Sequence, residues 1–325
     1  MEPARRANAS RLNHASTQRR AVIDIGTNSI KLLVADVRGG KVSPVHEESR
    51  QTRLGKNFYD TRQLQPEAVA CTAEAVWEFA EIARERDAGS IRVIATSAAR
   101  DAVNKDDLIS TIEKTSGLKV EIISGEQEAA WAFQGVTANS DLAQVPLLLL
   151  DVGGGSTEFI LGYKAEKHFA ESFPLGTVRL LEKFPLSDPP TRGEFEKCRN
   201  WIRNFLETEV CPELEPLLRG KKYRGTLLAG TGGTVSILAR IEKEMDRFDR
   251  EKIEQTVLSL ERIVAHRKKL WRLPLAERRE IVGLPRMRAD VILTGVLIYE
   301  IVMQQFGFTH LQISTRGLRF AALMD

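Results

Sequence analysis

Short apolar runs alternate along this chain with stretches of helical periodicity. The segments 21–37 and 147–163 each place apolar residues on both sides of a polar, glycine-containing turn, which predicts a strand–turn–strand hairpin. Apolar positions at helical spacing predict a helix over 66–89, and Pro66 suits its first turn. Strands that alternate with helices in this way indicate an α/β architecture.

The same pattern predicts the remaining elements. Further strands are expected at 91–96, 118–124, 225–230 and 310–315, and further helices at 104–117, 125–136, 231–242, 288–307 and 316–325. A proline-rich loop at 184–194 is followed by helical patterning to roughly 217, and 243–280 is charged and helical. The helix at 288–307 is strongly apolar, so it lies either in the core or on a dimer face, and the core is the favoured interpretation.

The two predicted hairpins match each other in sequence. The matching pairs, all at one constant offset along the chain, are Asp24 with Asp151, Gly26 with Gly153 and Ser29 with Ser156. A unit repeated at so wide a separation predicts two similar domains rather than a solenoid. Two such turns that face each other across a cleft would present their N–H groups to one polyanion.

Several strand ends carry the same chemistry. In 147–158 four leucines lead into Asp151, three glycines and Glu158. The N–H groups of such a turn bind phosphate oxygens, helix N-termini favour anions, and carboxylates suit Mg²⁺ with its retained waters. Each turn alone also fits an ordinary hairpin or helix cap. Their joint occurrence after apolar strands predicts a phosphate-binding cleft.

Composition narrows the class of protein. A chain of 325 residues with 42% hydrophobic content suits about two domains, and it has no apolar run near the ~20 residues of a membrane helix. Its three cysteines have no CxxC spacing, and its five histidines have no HExxH spacing. Neither a disulfide framework nor a zinc site is indicated, so a reducing compartment, the cytoplasm, is expected.

Positive charge is concentrated at the N-terminus. Residues 1–20 hold five arginines and one glutamate, whereas the net charge of the whole chain is only +3. The remainder is therefore close to neutral, and neither a nucleic acid nor a membrane is an expected partner. The segment 1–20 lacks the apolar stretch of a secretory signal and is predicted to form a disordered basic tail.

The turn sequences resemble those of the exopolyphosphatase/guanosine pentaphosphate phosphatase family. The matching stretches, in the family's order, are DIGTNSIKLLVADV, ATSAARDA, ISGEQEA, DVGGGSTE, LAGTGGTV and ISTRGLR, spanning residues 21 to about 320. The resemblance implies two related actin-like, sugar-kinase-like (ribonuclease H-like) domains, at 21–134 and 135–314, with a cleft between them. The C-terminal helix, at about 315–325, would join the first domain. The chain resembles the short, two-domain form of the family.

The family hydrolyses phosphoanhydride bonds in inorganic polyphosphate or in the alarmone guanosine pentaphosphate. By the resemblance, Glu128 matches the glutamate that activates water, and Asp151 and Glu158 match the acids associated with a divalent metal such as Mg²⁺. Spacing alone does not separate Glu126 from Glu128, because both lie in the first turn of one helix. The predicted phosphate-binding residues are Asp24, Asn28, Ser29, Thr96, Ser97, Arg100, Gly153, Gly154, Gly155, Ser156, Thr231, Gly232, Gly233 and Thr234.

Other functions remain open from the sequence. A small-molecule kinase of the same superfamily would use the same cleft with ATP, and a polyphosphate or alarmone sensor would bind without turnover. An actin-like assembly protein is a further alternative, and homodimer formation is left open. The candidates for a positive rim at the cleft mouth, each of which also fits a solvated surface charge, are Lys31, Arg53, Lys56, Arg179 and Arg316.

Overall fold

A computed structural model describes residues 16–138 and 141–325. The strands are β1 (Gln18–Ile25), β2 (Ile30–Arg38), β3 (Lys41–Arg50), β4 (Ser90–Ala95), β5 (Val120–Ile122), β6 (Leu147–Val152), β7 (Thr157–Tyr163), β8 (Glu166–Phe173), β9 (Leu227–Thr231), β10 (Val257–Ser259) and β11 (His310–Ile313). The helices are α1 (Pro66–Glu85), α2 (Ser97–Asp101), α3 (Lys105–Ser116), α4 (Gly125–Thr137), α5 (Thr177–Lys183), α6 (Arg192–Phe205), α7 (Cys211–Leu218), α8 (Gly233–Glu242), α9 (Arg250–Glu254), α10 (Leu260–Arg272), α11 (Leu275–Arg278), α12 (Ile292–Phe306) and α13 (Leu318–Ala322). A π-helical turn (Leu206–Val210) joins α6 to α7, and short 3₁₀ turns occur at Asp141–Gln144, Lys221–Tyr223 and Arg286–Arg288.

The strands form two mixed sheets with a common plan. The first has the order β3-β2-β1-β4-β5, and the second has the order β10-β11-β9-β6-β7-β8. In each sheet three antiparallel strands are followed by two parallel additions, and β10 extends the second sheet at its edge. The predicted fold class, two related α/β units, is confirmed.

The predicted repeat is present as two equivalent turns. In the first hairpin the N–H of Gly26 donates to the carbonyl of Ser29 at 3.1 Å, and in the second the N–H of Gly153 donates to the carbonyl of Ser156 at 2.9 Å. The turn geometry therefore repeats along with the sequence.

Helices cover both faces of the first sheet. On β1, Ile23 and Ile25 face the cluster formed with α1 and α3, whereas Val22 faces a second cluster that contains Leu318 and Phe320 of the C-terminal helix. This split follows from the two-residue period of a strand, because successive side chains point to opposite faces. The C-terminal helix thus packs on the first sheet.

Helix α4 packs between the two sheets and thereby fixes the position of the residue predicted as the base. Its Trp131 joins the cluster of the first sheet, while Ala129 and Phe133 pack against Leu149 of the second. Ser124 caps the helix by accepting a hydrogen bond from the N–H of Gln127. A helix that contacts both sheets over its length carries its N-terminal turn, with Glu128, to the boundary between the units.

Three edge strands were not predicted. They are β3, β8 and β10, which lie at the outer positions of the two sheets. Their sequences, KVSPVHEESR, EKHFAESF and VLS, are polar or short and are largely exposed or half-buried. An edge strand with a solvated face lacks the apolar run that marks a buried strand, and it tolerates a proline such as Pro44.

The predicted boundary of the N-terminal tail is too late. Residues 1–15 lie outside the described residues, but β1 already begins at Gln18. The predicted tail includes Arg19 and Arg20, yet Arg19 pairs with Asp36 at 2.8 Å and Arg20 donates to the carbonyl of Leu323 at 3.0 Å. These contacts and the ladder with β2 hold both arginines in the strand.

The apolar helix at 288–307 corresponds to α12, whose residues Ile292–Met303 are buried. The core interpretation of this helix is therefore correct. Among the described residues, no helix combines the length and the hydropathy that a membrane-spanning segment requires.

Candidate phosphate-binding and catalytic site

The two equivalent turns touch each other across the boundary between the units. A Cβ atom on Gly155 would overlap Ser97 Oγ and lie 2.6 Å from the Tyr59 hydroxyl, and one on Gly154 would lie 2.9 Å from Thr27 Cβ. Real Cβ atoms do not approach other atoms this closely, so only glycine permits this contact between the turns. Gly154 and Gly155 are therefore explained by the side chains of Thr27, Tyr59 and Ser97, which pack directly against the backbone of the second turn.

A small cavity of about 70 Å³ lies between the turns. It brings together most of the residues that the sequence predicted. Those that line it are Asp24, Asn28, Ser29, Thr96, Ser97, Glu128, Asp151, Gly153, Gly154, Gly155, Ser156, Glu158, Gly233 and Thr234. Residues from both sheets, from α2, from α4 and from α8 thus meet at one point.

Several buried polar atoms in this lining have no hydrogen-bond partner among the described residues. They are Asp24 Oδ1, Asn28 Nδ2 and Ser97 Oγ. Buried polar groups in folded proteins are nearly always paired, and leaving one unpaired costs about 1–3 kcal/mol. A concentration of unpaired donors and acceptors around one cavity indicates a polar ligand.

Backbone donors converge on the same cavity. The N–H groups of Thr27, Asn28, Gly154 and Gly155 have no acceptor in the described part of the chain, whereas the carbonyl of Thr27 accepts from the N–H of Gly55 at 2.8 Å. Each turn therefore leaves N–H groups free beside the cavity. Such an arrangement is suited to phosphate oxygens.

The Glu128 carboxylate is buried, with 7% of its residue surface exposed. Burial raises its pKa to about 7, Arg100 opposes the shift by charge and hydrogen bond, and the charges of Asp151 and Asp24 add to it. Arg100 Nη1 lies 2.9 Å from Glu128 Oε2 and also donates to the carbonyl of Ile123 at 3.2 Å. A carboxylate that titrates near neutral pH is suited to accept a proton from water.

Glu126 is placed differently from Glu128. Its side chain is 81% exposed and forms an ion pair with Lys167 at 3.7 Å. Residues two positions apart on a helix point in nearly opposite directions, which explains why one glutamate reaches the cavity and the other faces solvent.

Asp151 and Glu158 form a cross-strand pair between β6 and β7. Burial raises the pKa of both carboxyl groups, and the charges of Glu128 and Asp151 raise that of Glu158 further. Glu158 Oε1 accepts hydrogen bonds from Ser156 Oγ at 2.8 Å and from Ser172 Oγ at 2.7 Å. Two buried like charges are costly unless a cation compensates them.

These acids fit a magnesium ion that is held partly by substrate. Among residues 16–138 and 141–325, no group of three or more His, Cys, Asp or Glu side chains is arranged to hold a metal by itself. Mg²⁺ does not need such a group, because it uses one or two carboxylates, several waters and substrate phosphates. Asp151 and Glu158 provide two carboxylates, and the unpartnered Asp24 Oδ1 lies in the same lining.

Three predicted phosphate-binding residues lie outside the small cavity. Arg100 lies behind Glu128, as its hydrogen bonds show. Thr231 and Gly232 line a larger neighbouring cavity instead, and the Thr231 hydroxyl donates to the carbonyl of Arg316. Gly232 has a φ of +90°, and a Cβ there would lie 2.5 Å from Asp151 Oδ1, so glycine is required beside that carboxylate.

The larger cavity has a volume of about 690 Å³ and shares part of its lining with the small one. Lys31 and Arg288 line both, and the sequence-based prediction omitted both from the site. Burial lowers the pKa of Lys31 and lowers that of Arg288 to about 10, and Arg288 Nη2 donates to Ser29 Oγ at 2.6 Å. The repeat in the sequence could have identified Lys31, because Lys31 occupies in the first hairpin the position that Glu158 occupies in the second. No sequence pattern identified Arg288.

Of the candidate rim cations, Lys31 lines both cavities, and three arginines that line neither cavity are bound to other groups of the protein. Arg53 pairs with Asp290 at 2.9 Å, Arg179 donates to the carbonyl of Gly155 at 2.8 Å, and Arg316 donates to the carbonyl of Ala138 at 3.2 Å. Lys56 is exposed and lines neither cavity. Of these five residues, Lys31 alone lines a cavity in the described part of the chain.

Comparison with known proteins gives a consistent assignment. A model of the Ppx/GppA phosphatase family matches residues 33–325. Exopolyphosphatase 2 of Mycobacterium tuberculosis is 35% identical over 289 residues, which cover 86% of this chain and 88% of that protein. The crystal structure of an exopolyphosphatase from Cytophaga hutchinsonii is 31% identical with a TM-score of 0.84, covering 94% of this chain and 97% of that one. The Aquifex aeolicus PPX-GPPA enzyme is 29% identical with a TM-score of 0.75, covering 95% and 99%. The chain belongs to the Ppx/GppA phosphatase family.

Proposed function

We propose that this protein is an exopolyphosphatase that releases the terminal phosphate of inorganic polyphosphate. One observation carries the proposal: buried polar atoms without partners surround a small cavity that a buried glutamate also lines. An anion with several oxygens would satisfy those donors, and the glutamate beside it would act on water.

In this mechanism the terminal phosphoryl group occupies the small cavity. The free N–H groups of residues 27–28 and 154–155 hold its oxygens and stabilise the charge that builds up during transfer. Glu128 accepts a proton from a water molecule, whose oxygen forms the new bond to phosphorus. The bond between phosphorus and the bridging oxygen breaks, and the chain leaves one phosphate shorter.

A divalent metal, when bound with the substrate, would neutralise phosphate oxygens and stabilise the transferring group electrostatically. Asp151 and Glu158 would hold it, since they are the paired carboxylates of the second hairpin. The serine hydroxyls on Glu158 Oε1 would keep that side chain oriented.

Phosphate release from polyphosphate, with and without Mg²⁺, tests the proposal. Glu128→Gln should lower turnover by about 10²–10⁴-fold, the usual contribution of a general base, with binding largely kept. Glu126→Gln is the matched control, because it changes an exposed glutamate of the same helical turn. Equal turnover in Glu128→Gln and the wild type would exclude Glu128 as the base.

The same assays separate the alternative functions. A kinase would transfer phosphate from ATP to an acceptor and would not release phosphate from polyphosphate. A sensor would bind polyphosphate in the presence of Mg²⁺ without phosphate release. Either result would overturn the proposed hydrolase.

The larger cavity favours guanosine pentaphosphate as a second substrate. It carries apolar side chains, Ile237, Phe248 and Met287, beside the cations Lys31 and Arg288 that it shares with the small cavity. An aromatic base and a short phosphate chain would suit this combination. Phe248→Ala should weaken pentaphosphate hydrolysis while polyphosphate hydrolysis is unchanged, and equal effects on both substrates would contradict the assignment.

A further inference from the structure

We propose that Ser172 is a positioning residue for this site, and that it holds Glu158 in the orientation in which that carboxylate takes a divalent cation. This inference rests on the proposed metal-assisted reaction. Ser172 lines neither cavity, so it acts through Glu158 and not on the substrate.

The contact is specific in geometry. Ser172 on β8 is the direct cross-strand partner of Glu158 on β7, and its hydroxyl donates to Glu158 Oε1 at 2.7 Å. Ser156 donates to the same oxygen at 2.8 Å. In the described residues no hydrogen bond reaches Oε2, so the two serines occupy one carboxylate oxygen and leave the other for a ligand. Hydrogen bonds of this kind to a metal-binding side chain typically affect metal affinity by 10–100-fold.

Ser172 also contacts the helix that carries the proposed base. A Cβ atom placed on Gly125, the first residue of α4, would lie 2.7 Å from Ser172 Cβ and 3.2 Å from Ser172 Oγ. The start of α4 thus rests directly on this serine. Ser172 lies between Glu158 and the helical turn of Glu128, so it sets the position of the metal-side acid relative to that helix.

The repeat supplies a matched control. In the first sheet, Lys31 occupies the position of Glu158, and its partner across to β3 is Ser49. In the described structure the Ser49 hydroxyl makes no hydrogen bond, although the residue lines the larger cavity. Ser172 and Ser49 are therefore equivalent in topology, and only Ser172 has a carboxylate to hold.

The experiment is a titration of the protein with Mn²⁺ in the presence of inorganic phosphate, which supplies the phosphate oxygens that complete the metal site, followed by electron paramagnetic resonance. Ser172→Ala should raise the dissociation constant by about tenfold or more, Ser172→Thr should restore it to within about twofold, and Ser49→Ala should leave it unchanged. In phosphate-release assays, Ser172→Ala should raise the Mg²⁺ concentration required for half-maximal rate more than it lowers the rate at saturating Mg²⁺.

An unchanged Mn²⁺ affinity in Ser172→Ala, or a wild-type protein that binds no Mn²⁺, would overturn the inference. If Ser172→Ala does not fold, Ser172→Cys keeps the size with a weaker donor and gives the same comparison. The titration needs no turnover, so failure to hydrolyse polyphosphate would overturn the proposed function and still leave the role of Ser172 to be decided by the titration.

Discussion

The two hairpins of this protein have the same turn, and an aspartate precedes the turn in each. The residue paired with that aspartate on the neighbouring strand has a positive charge in the first hairpin and a negative charge in the second. On the first, Asp24 lies across from Lys31; on the second, Asp151 lies across from Glu158. Burial raises the pKa of both aspartates, and the charge of Lys31 opposes that rise at each of them. Burial also raises the pKa of Glu158, and there the charges of Glu128 and Asp151 add to the rise. One half of the repeat supplies its own cation, and the other half has an excess of negative charge.

This difference in charge suggests that the two units of the repeat have different functions in the site. A buried ammonium beside a phosphate site provides a positive charge, while a buried pair of carboxylates is costly unless cations compensate both charges. The first unit would therefore bind the polyanion directly, and the second would bind it through a metal. The following predictions test that division, beginning with the largest expected effect.

Glu158→Gln should have the largest effect of these variants, because it removes one of the two carboxylates of the Asp151–Glu158 pair. We expect phosphate release to fall at least about 100-fold, since a bound metal contributes several kcal/mol and each ~1.4 kcal/mol is a factor of ten. The Mg²⁺ concentration for half-maximal rate should also rise. Phosphate release measured against Mg²⁺ concentration checks both. An unchanged Mg²⁺ curve would show that the second hairpin is not the metal side.

Lys31→Gln, at the equivalent position, should act on substrate and not on metal. Loss of a charged hydrogen-bonding group costs about 1.5–3 kcal/mol, so KM for polyphosphate should rise by about tenfold or more. The Mg²⁺ requirement should stay as in the wild type. Steady-state kinetics at several Mg²⁺ concentrations separates the two quantities, and Lys31→Arg, which keeps the charge, serves as the control. A shift in the Mg²⁺ curve would remove the contrast between the hairpins.

The sequence predicted those site residues that lie close together along the chain. A turn places Asp24, Ser29 and the glycines close together along the chain, and the recurrence of that turn after Leu150 identified its counterpart. Arg288 was missed because it reaches Ser29 only through tertiary packing, 259 residues away along the chain. No local pattern distinguishes it from other arginines.

The fold was also predictable only where a local sequence pattern marks the element. Buried strands such as β6 carry an apolar run, whereas the edge strands β3, β8 and β10 do not. Missing β8 also meant missing Ser172, because its contact with Glu158 depends on the register between β7 and β8. Cross-strand partners follow from register, which a single sequence with polar edge strands does not specify.

Arg100→Gln tests how the first unit influences the acids of the site. Arg100 on α2 lowers the pKa of Glu128, so its removal should raise that pKa, and fewer molecules would have an ionised base at a given pH. The acid limb of kcat/KM against pH should therefore move to higher pH by about 1 unit, with Arg100→Lys close to the wild type. A limb that stays in place, or moves to lower pH, would contradict the assignment of Glu128 as the titrating base.

The smallest effect expected is on stability, and it compares the two aspartates directly. Burial raises the pKa of Asp151, so its ionisation opposes folding; Asp151→Asn should raise the free energy of unfolding by about 1 kcal/mol in the absence of metal. This gain should be full above the folded-state pKa and vanish below the unfolded value, near pH 4, where both states are protonated. Asp24→Asn should give no gain, because it removes the larger of the two carboxylate charges, Asp24 and Asp151, that stabilise the buried Lys31 ammonium. Urea unfolding at pH 8 and at a pH below 4 measures these differences. Equal gains for the two variants would show that the hairpins carry the same electrostatic strain and that the partner across the strand does not decide it.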